Sequence, residues 1–157
     1  MKVLVAYYSR TGNTESMAEI IAQSIKEEGV EVDLVKVEKL RPQDLLKYDG
    51  IIFGSPVYYG DMASSIKKLL DESVSFHGSL DGKLGGAFSS SANIGGGNET
   101  AILSILNAML IHGMIIQGDP QGDHYGPVAI GKPDARSKKQ CQRFGKRFAK
   151  LVKKIKG

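Results

Sequence analysis

Long apolar runs are missing from this chain. The longest, such as Val3 to Tyr8, reach around six residues, against the roughly 18–20 that span a bilayer or the 7–15 of a signal-peptide core. A soluble, cytoplasmic protein with no membrane partner is therefore expected. Cysteine is nearly absent too: Cys141 stands alone, which excludes an intrachain disulfide and a Cys-based metal cluster within one chain. Acid is scarce at one end, where residues 132–157 hold eleven of the 21 Lys and Arg but only Asp134 as an acid. The rest of the chain is net acidic, and a basic terminal segment of this kind binds nucleic acid or packs as a helix with its lysines in water. Phe144, Phe148, Leu151, Val152 and Ile155 recur on one helical face, which favours the packed helix.

What is present is a globular composition, 41% hydrophobic and 24% charged over 157 residues. That length suits one domain with a sizeable core. Five short β-rich runs alternate with helical patterns. Val3 to Tyr8 is apolar throughout, as in a central strand covered on both faces. Val30 to Val37 alternates apolar residues with Glu31 and Asp33, as an edge strand does. Gly50 to Gly54, Leu84 to Ser89 and Met114 to Ile116 supply three more strands. Helical stripes run through Met17, Ile21 and Ile25, through Met62, Ile66 and Leu69, through Ile102, Ile105 and Met109, and through the basic tail; Arg41 to Asp49 reads as a connecting helical turn. Such alternation calls for right-handed crossovers and a parallel sheet with helices on both faces.

In an open parallel sheet, ligands bind beyond the carboxyl ends of the strands, where the winding reverses. Several familiar signatures are absent there. No G-x-G-x-x-G follows the first strand, and there is no G-x-S-x-G elbow. Gly126 to Lys132 spells G-x-x-x-x-G-K, but Pro133 replaces the magnesium-binding hydroxyl residue. What the first loop does offer is Ser9, Arg10, Thr11, Gly12, Asn13 and Thr14, small and hydroxyl- or amide-bearing residues with a glycine turn leading into a helix. Such a loop can cradle a phosphate, or Asn13 or a threonine can simply cap the helix. After the third strand, Pro56, Val57, Tyr58, Tyr59 and Gly60 place two aromatics where they can wall a planar ring. After the fourth, Ser90, Ser91, Ala92, Asn93, Ile94, Gly95 and Gly96 offer backbone donors with little bulk.

The opening V-L-V-A-Y-Y-S-R-T-G-N-T-E resembles that of flavodoxin-like proteins. The blocks G-S-P-V-Y-Y-G-D-M, G-K-L-G-G-A-F-S-S-S, G-G-G-N-E-T, H-G-M and Y-G-P-V-A-I are similar, in order and over nearly the whole chain, to those of WrbA-type NAD(P)H:quinone oxidoreductases. The resemblance implies a single flavodoxin-like FMN-binding domain over residues 1–157, a three-layer α/β/α sandwich on a five-stranded parallel sheet of order 2-1-3-4-5. It further implies that Ser9 to Thr14 hold the FMN phosphate, that Pro56 to Gly60 flank the isoalloxazine ring, and that Ser90 to Gly96 line its pyrimidine edge and ribityl chain. Gly60 would let a peptide carbonyl turn toward flavin N5, and His112 of the H-G-M block would sit near the flavin. FMN would carry the chemistry, with no catalytic dyad and no metal.

Three departures from the WrbA pattern stand out: Tyr58 where an arginine is usual, a shorter segment before the third strand, and only Gly118 to His124 where a longer insertion is usual. In that family these segments support a tetramer and shape the second-substrate pocket, so a homo-oligomer is among the expectations. The expected function is a flavoprotein oxidoreductase passing hydride from NAD(P)H to a quinone or similar small-molecule acceptor. The alternative is a flavodoxin-type one-electron carrier docking on redox protein partners, and a third reading is a nucleic-acid binder acting through the basic tail.

Overall fold

The apolar run near the start becomes the middle of a sheet. In the computed structural model, which describes residues 1–157, Val3, Leu4, Val5 and Ala6 of strand β1 (Lys2–Tyr7) are wholly buried. The order continues α1 (Asn13–Glu27), β2 (Glu31–Lys36), β3 (Gly50–Pro56), α2 (Ser64–Glu72), β4 (Leu84–Ser91), α3 (Asn98–Ile111), β5 (Ile115–Ile116), β6 (Val128–Ile130) and α4 (Ala135–Lys156). Between β2 and β3, Pro42–Lys47 forms the expected helical turn, of the 3₁₀ type. Every strand pairing is parallel. The order is β2-β1-β3-β4-β5, with β6 also on β4.

Alternate residues of the strands feed two separate cores. Leu4, Ala6, Ile51, Phe53 and Ala87 face α2 and α3 with Ile66, Ile102 and Ile105. Val3, Val5, Ile52 and Phe88 face α1 and α4 with Met17, Ile21, Phe148 and Val152. This is the expected three-layer sandwich, and the period-2 alternation of strand side chains is what divides the cores.

The fifth strand differs from expectation. Ile115 and Ile116 pair with Leu84 and Gly85, whereas Val128 to Ile130 pair with Ser89 to Ser91. Because β3 occupies the other flank of β4, β5 and β6 share one lane, broken by residues 117–127. The intervening sequence, rich in Gly, Asp and Pro, cannot keep a ladder going, so the chain leaves the sheet and returns through Y-G-P-V-A-I.

Two helix ends explain themselves locally. Helix α1 closes with Gly29 at φ 76°, its N–H donating to the Lys26 carbonyl while Val30 N–H donates to that of Ile25, a Schellman closure. Helix α4 opens with a reciprocal box: Asp134 Oδ1 accepts from the Ser137 N–H and Ser137 Oγ accepts from the Asp134 N–H, both at 2.8 Å. Phe148, Ala149 and Val152 of α4 are buried. At Gly145 a Cβ would stand 2.7 Å from the Ile21 carbonyl oxygen, so α1 and α4 approach closely. The tail is thus a packed helix. No helix is long and apolar enough to cross a membrane.

Candidate functional site

Neighbouring β1 and β3 send their connections to opposite faces of the sheet, so a crevice opens beyond their carboxyl ends. It measures about 360 Å³ and is lined by Ser9, Arg10, Thr11, Asn13, Thr14, Pro56, Val57, Tyr58, Ser90, Ser91, Ala92 and Gly131. The three loops singled out by sequence therefore meet in one place. Thr14 Oγ1 and Ser90 Oγ lie 2.8 Å apart, both buried, and tie the first loop to the third.

The first loop leaves a helix start open. Gly12, at φ 93°, is the N-cap of α1, and no side chain caps the helix. Gly12 N–H donates to Ser9 Oγ at 3.1 Å, but the N–H groups of Asn13, Thr14 and Glu15 have no hydrogen-bond partner. The capping alternative for Asn13 is thus not what the chain adopts. The nearest acid is turned away: Glu15 accepts from the Tyr7 hydroxyl at 2.5 Å and pairs with Lys36, and the Tyr7 bond holds its carboxyl below the usual range. Three free amides at the positive end of a helix dipole, with Ser9, Thr11 and Thr14 hydroxyls around them, fit a phosphate dianion.

The second loop turns on a two-residue hairpin. Tyr58 and Asp61 exchange backbone hydrogen bonds at 3.0 and 3.1 Å, with Tyr59 at φ 50° and Gly60 at φ 76° between them. Both central residues are left-handed, as a type I′ turn requires. Tyr59 is the only non-glycine with positive φ, and its ring is fully exposed. Tyr58 instead lines the crevice, with the Tyr8 ring set edge-on to it at 6.1 Å between centroids. Burial, and then the neighbouring Tyr8, raise its phenol above the usual tyrosine value.

The third loop is knitted by a residue that sequence reasoning missed. Asn98, 6% exposed, accepts from Ser91 Oγ at 2.6 Å and donates to Ser89 Oγ at 2.9 Å. Its signal was its place, the first helical residue after G-G-G. Gly97 at φ 96° is the N-cap of α3, again without a side-chain cap. A Cβ there would lie 3.0 Å from Gly60 Cα, so the second and third loops touch through glycine. Gly131 was also missed; its N–H donates to the Ser91 carbonyl at 2.7 Å, and it reaches the crevice because β6 completes the fifth lane.

Not every expected residue lines the crevice. Gly12 shapes the turn from behind, Tyr59 and Gly60 form the hairpin tip, and Asn93 to Gly96 make an exposed outer rim around Ile94. His112 is a correction. It follows the last turn of α3, some 20 Å of helix from the crevice end at about 1.5 Å per residue. There it is buried, with Nε2 2.7 Å from Ser73 Oγ. Ser73 Oγ already donates to the Leu70 carbonyl, so Nε2 carries the proton and donates to Ser73. A helix that starts at one edge of the sheet must end at the other, so within this chain His112 is not at the site.

A flavodoxin domain model matches residues 4–93. A flavodoxin of Clostridium saccharobutylicum is 37% identical, with 99% of each chain covered. An NAD(P)H dehydrogenase (quinone) of Archaeoglobus fulgidus is 32% identical, with 98% of each covered. Among solved structures, a flavodoxin from the domain Archaea superposes with a TM-score of 0.81 at 31% identity, over 98% of this chain and 99% of that one.

Proposed function

This chain belongs to the flavodoxin family of FMN-binding redox proteins, and from that premise we propose that residues 1–157 form one FMN-binding domain acting as an NAD(P)H-dependent two-electron reductase of quinones or similar small acceptors. The observation that carries the reductase reading is the asymmetry of the crevice: Tyr58 is the one aromatic among its lining residues, and the others are small or polar apart from Pro56 and Val57. A planar ring held against Tyr58 would meet no second aromatic on its other face. A nicotinamide, and then a quinone, can stack there in turn. Relatives named as quinone dehydrogenases over nearly the full length support the same reading.

FMN, when bound, would supply the redox chemistry, a two-electron exchange. The chain supplies position and environment. The Asn13, Thr14 and Glu15 amides, with the Ser9, Thr11 and Thr14 hydroxyls, hold the phosphate; Arg10 adds a positive charge at the mouth. Val57 and Tyr58 flank the ring. Backbone groups of Ser90 to Ala92 meet its polar edge, held in place by Asn98, while Asn93 to Gly96 form the outer lip of that wall. Gly60 gives the hairpin tip freedom to turn a peptide group.

The test is direct. Purified protein reconstituted with FMN should show flavin absorption near ~370 and ~450 nm, as expected where that cofactor carries the chemistry, and NADH or NADPH should bleach it and sustain turnover with a benzoquinone. If FMN binds but neither nicotinamide reduces it, the reductase reading fails and the one-electron carrier takes its place.

A further inference from the structure

The ten cations of α4 fall into two groups. Its three arginines are engaged: Arg136 with Asp123, Arg143 and Arg147 with Asp119. The side chains of all seven lysines, Lys138, Lys139, Lys146, Lys150, Lys153, Lys154 and Lys156, make no ion pair, each ion pair of α4 being an arginine's, and no hydrogen bond, the side-chain hydrogen bonds of α4's cations likewise being its arginines'. At roughly 100° per residue they occupy one face about 160° wide and about 27 Å long. Six of the seven are exposed. A protein that needed these charges only for solubility would intersperse acids among them, and α4 has none.

We propose that this lysine face is a docking surface for an acidic redox protein. The face begins at the crevice: Gly131 lines it, Lys132 follows exposed, and Lys138 and Lys139 stand on the first turns of α4. A partner seated on those turns reaches the mouth, where Arg10 continues the positive charge. Flexible, hydrated lysines steer encounter and allow quick release.

Two other anionic partners fit less well. Phosphate backbones are gripped best by arginine forks, and here every arginine of α4 is tied within the fold. A bilayer surface calls for apolar residues to insert, whereas Phe148 and Val152 are buried in the core. The proposal rests on the family's redox role and not on which small molecule donates or accepts electrons.

The probe is an acidic [2Fe–2S] ferredoxin, titrated into the FMN-loaded full chain and followed by amide chemical shifts. Shifts and broadening should concentrate on Lys132 and residues 138–150. Affinity should fall about tenfold or more between 20 and 200 mM NaCl, as an electrostatic contact does, and by a similar factor in Lys138→Glu/Lys139→Glu/Lys146→Glu. These lysines are unpaired, so the variant keeps its fold; the glutamine triple variant should lose less. A basic cytochrome c should leave α4 unmoved. A ferredoxin footprint elsewhere, no footprint, or an unchanged triple variant overturns the proposal. So does tighter binding at 150 mM NaCl of a 20-base-pair DNA duplex, or of phosphatidylglycerol vesicles, than of ferredoxin. Nicotinamide reduction plays no part in this readout, so its failure leaves the reductase reading untouched.

Discussion

Helices α1 and α3 start at the same edge of the sheet as α4, yet they start differently. The first two begin on a left-handed glycine with no side-chain cap; α4 begins with Asp134 and Ser137 in a mutual box. A cap is worth roughly 1 kcal/mol, so an uncapped start is a stability forgone. In α1 it is forgone where Asn13 and Thr14 line the crevice, and in α3 directly behind the loop that forms its far wall. A cap that would stabilise α1 would also fill the amides a ligand needs, and α4, which offers nothing to the crevice from its first turn, has no such constraint.

The sharpest way to break that contrast is Asn13→Asp. A carboxylate in the first turn of α1 favours the helix dipole but occupies the place of the phosphate with like charge. Isothermal titration should show FMN affinity reduced by roughly 100-fold, about 2.7 kcal/mol, with riboflavin little changed and apoprotein melting equal or higher. Equal losses for FMN and riboflavin would remove the phosphate from this loop. On the other side, Asp134→Ala should lower unfolding stability by about 1 kcal/mol in a urea titration while FMN affinity stays put. Gly12→Ala should match Asp134→Ala in the same urea titration: nothing lies within 4 Å of the new Cβ, but φ 93° is strained for any other residue, costing around 1 kcal/mol of stability.

Much of this site was legible before the fold was known, because each loop carries its chemistry locally. Ser9 to Thr14 are polar and, apart from Arg10, small, bounded by an apolar strand and an apolar helical stripe, and the period change between strand and helix marks the turn by itself. Tyr58 and Tyr59 were equally visible as a pair, but not their division of labour. Which of two adjacent aromatics lines the crevice depends on a hairpin whose left-handed residues include a tyrosine, against its intrinsic preference. Asn98 and Gly131 were hidden for another reason: Gly131 bonds Ser91 and Asn98 reaches Ala129 across long stretches of chain, and the nearer bonds of Asn98 to Ser89 and Ser91 form only because the glycine loop folds back on the strand. His112 was misplaced because adjacency in a motif says nothing about which end of a 14-residue helix faces the site.

The smallest expected effect concerns that histidine. Burial, and then nearby His77, lower its pKa, so the fold favours the neutral ring while the unfolded chain protonates near the ordinary value of about 6.5. Below that pH the unfolded state binds more protons, and stability declines until the folded pKa is passed. His112→Gln should flatten the decline of the urea midpoint between pH 7.5 and 5.5. An unaltered slope would assign the acid sensitivity to other groups. Asp119 acts lower: the Arg143 bond holds its carboxyl well below the usual range, so its contribution is full above about pH 4 and lost only in stronger acid.

The broken fifth lane bears on how the molecule behaves in a crowd of its own copies. A parallel sheet with open ends offers two rows of unpaired N–H and C=O groups to any passing strand. On one side that row is cut into pieces of two and three residues by the segment between β5 and β6. On the other, β2 carries Glu31 and Asp33, both bridged by Lys2, and its outer face is charged. Neither border presents the long flat apolar strand on which chains stack into fibrils, so the interruption that lets Gly131 into the crevice also keeps the sheet from growing.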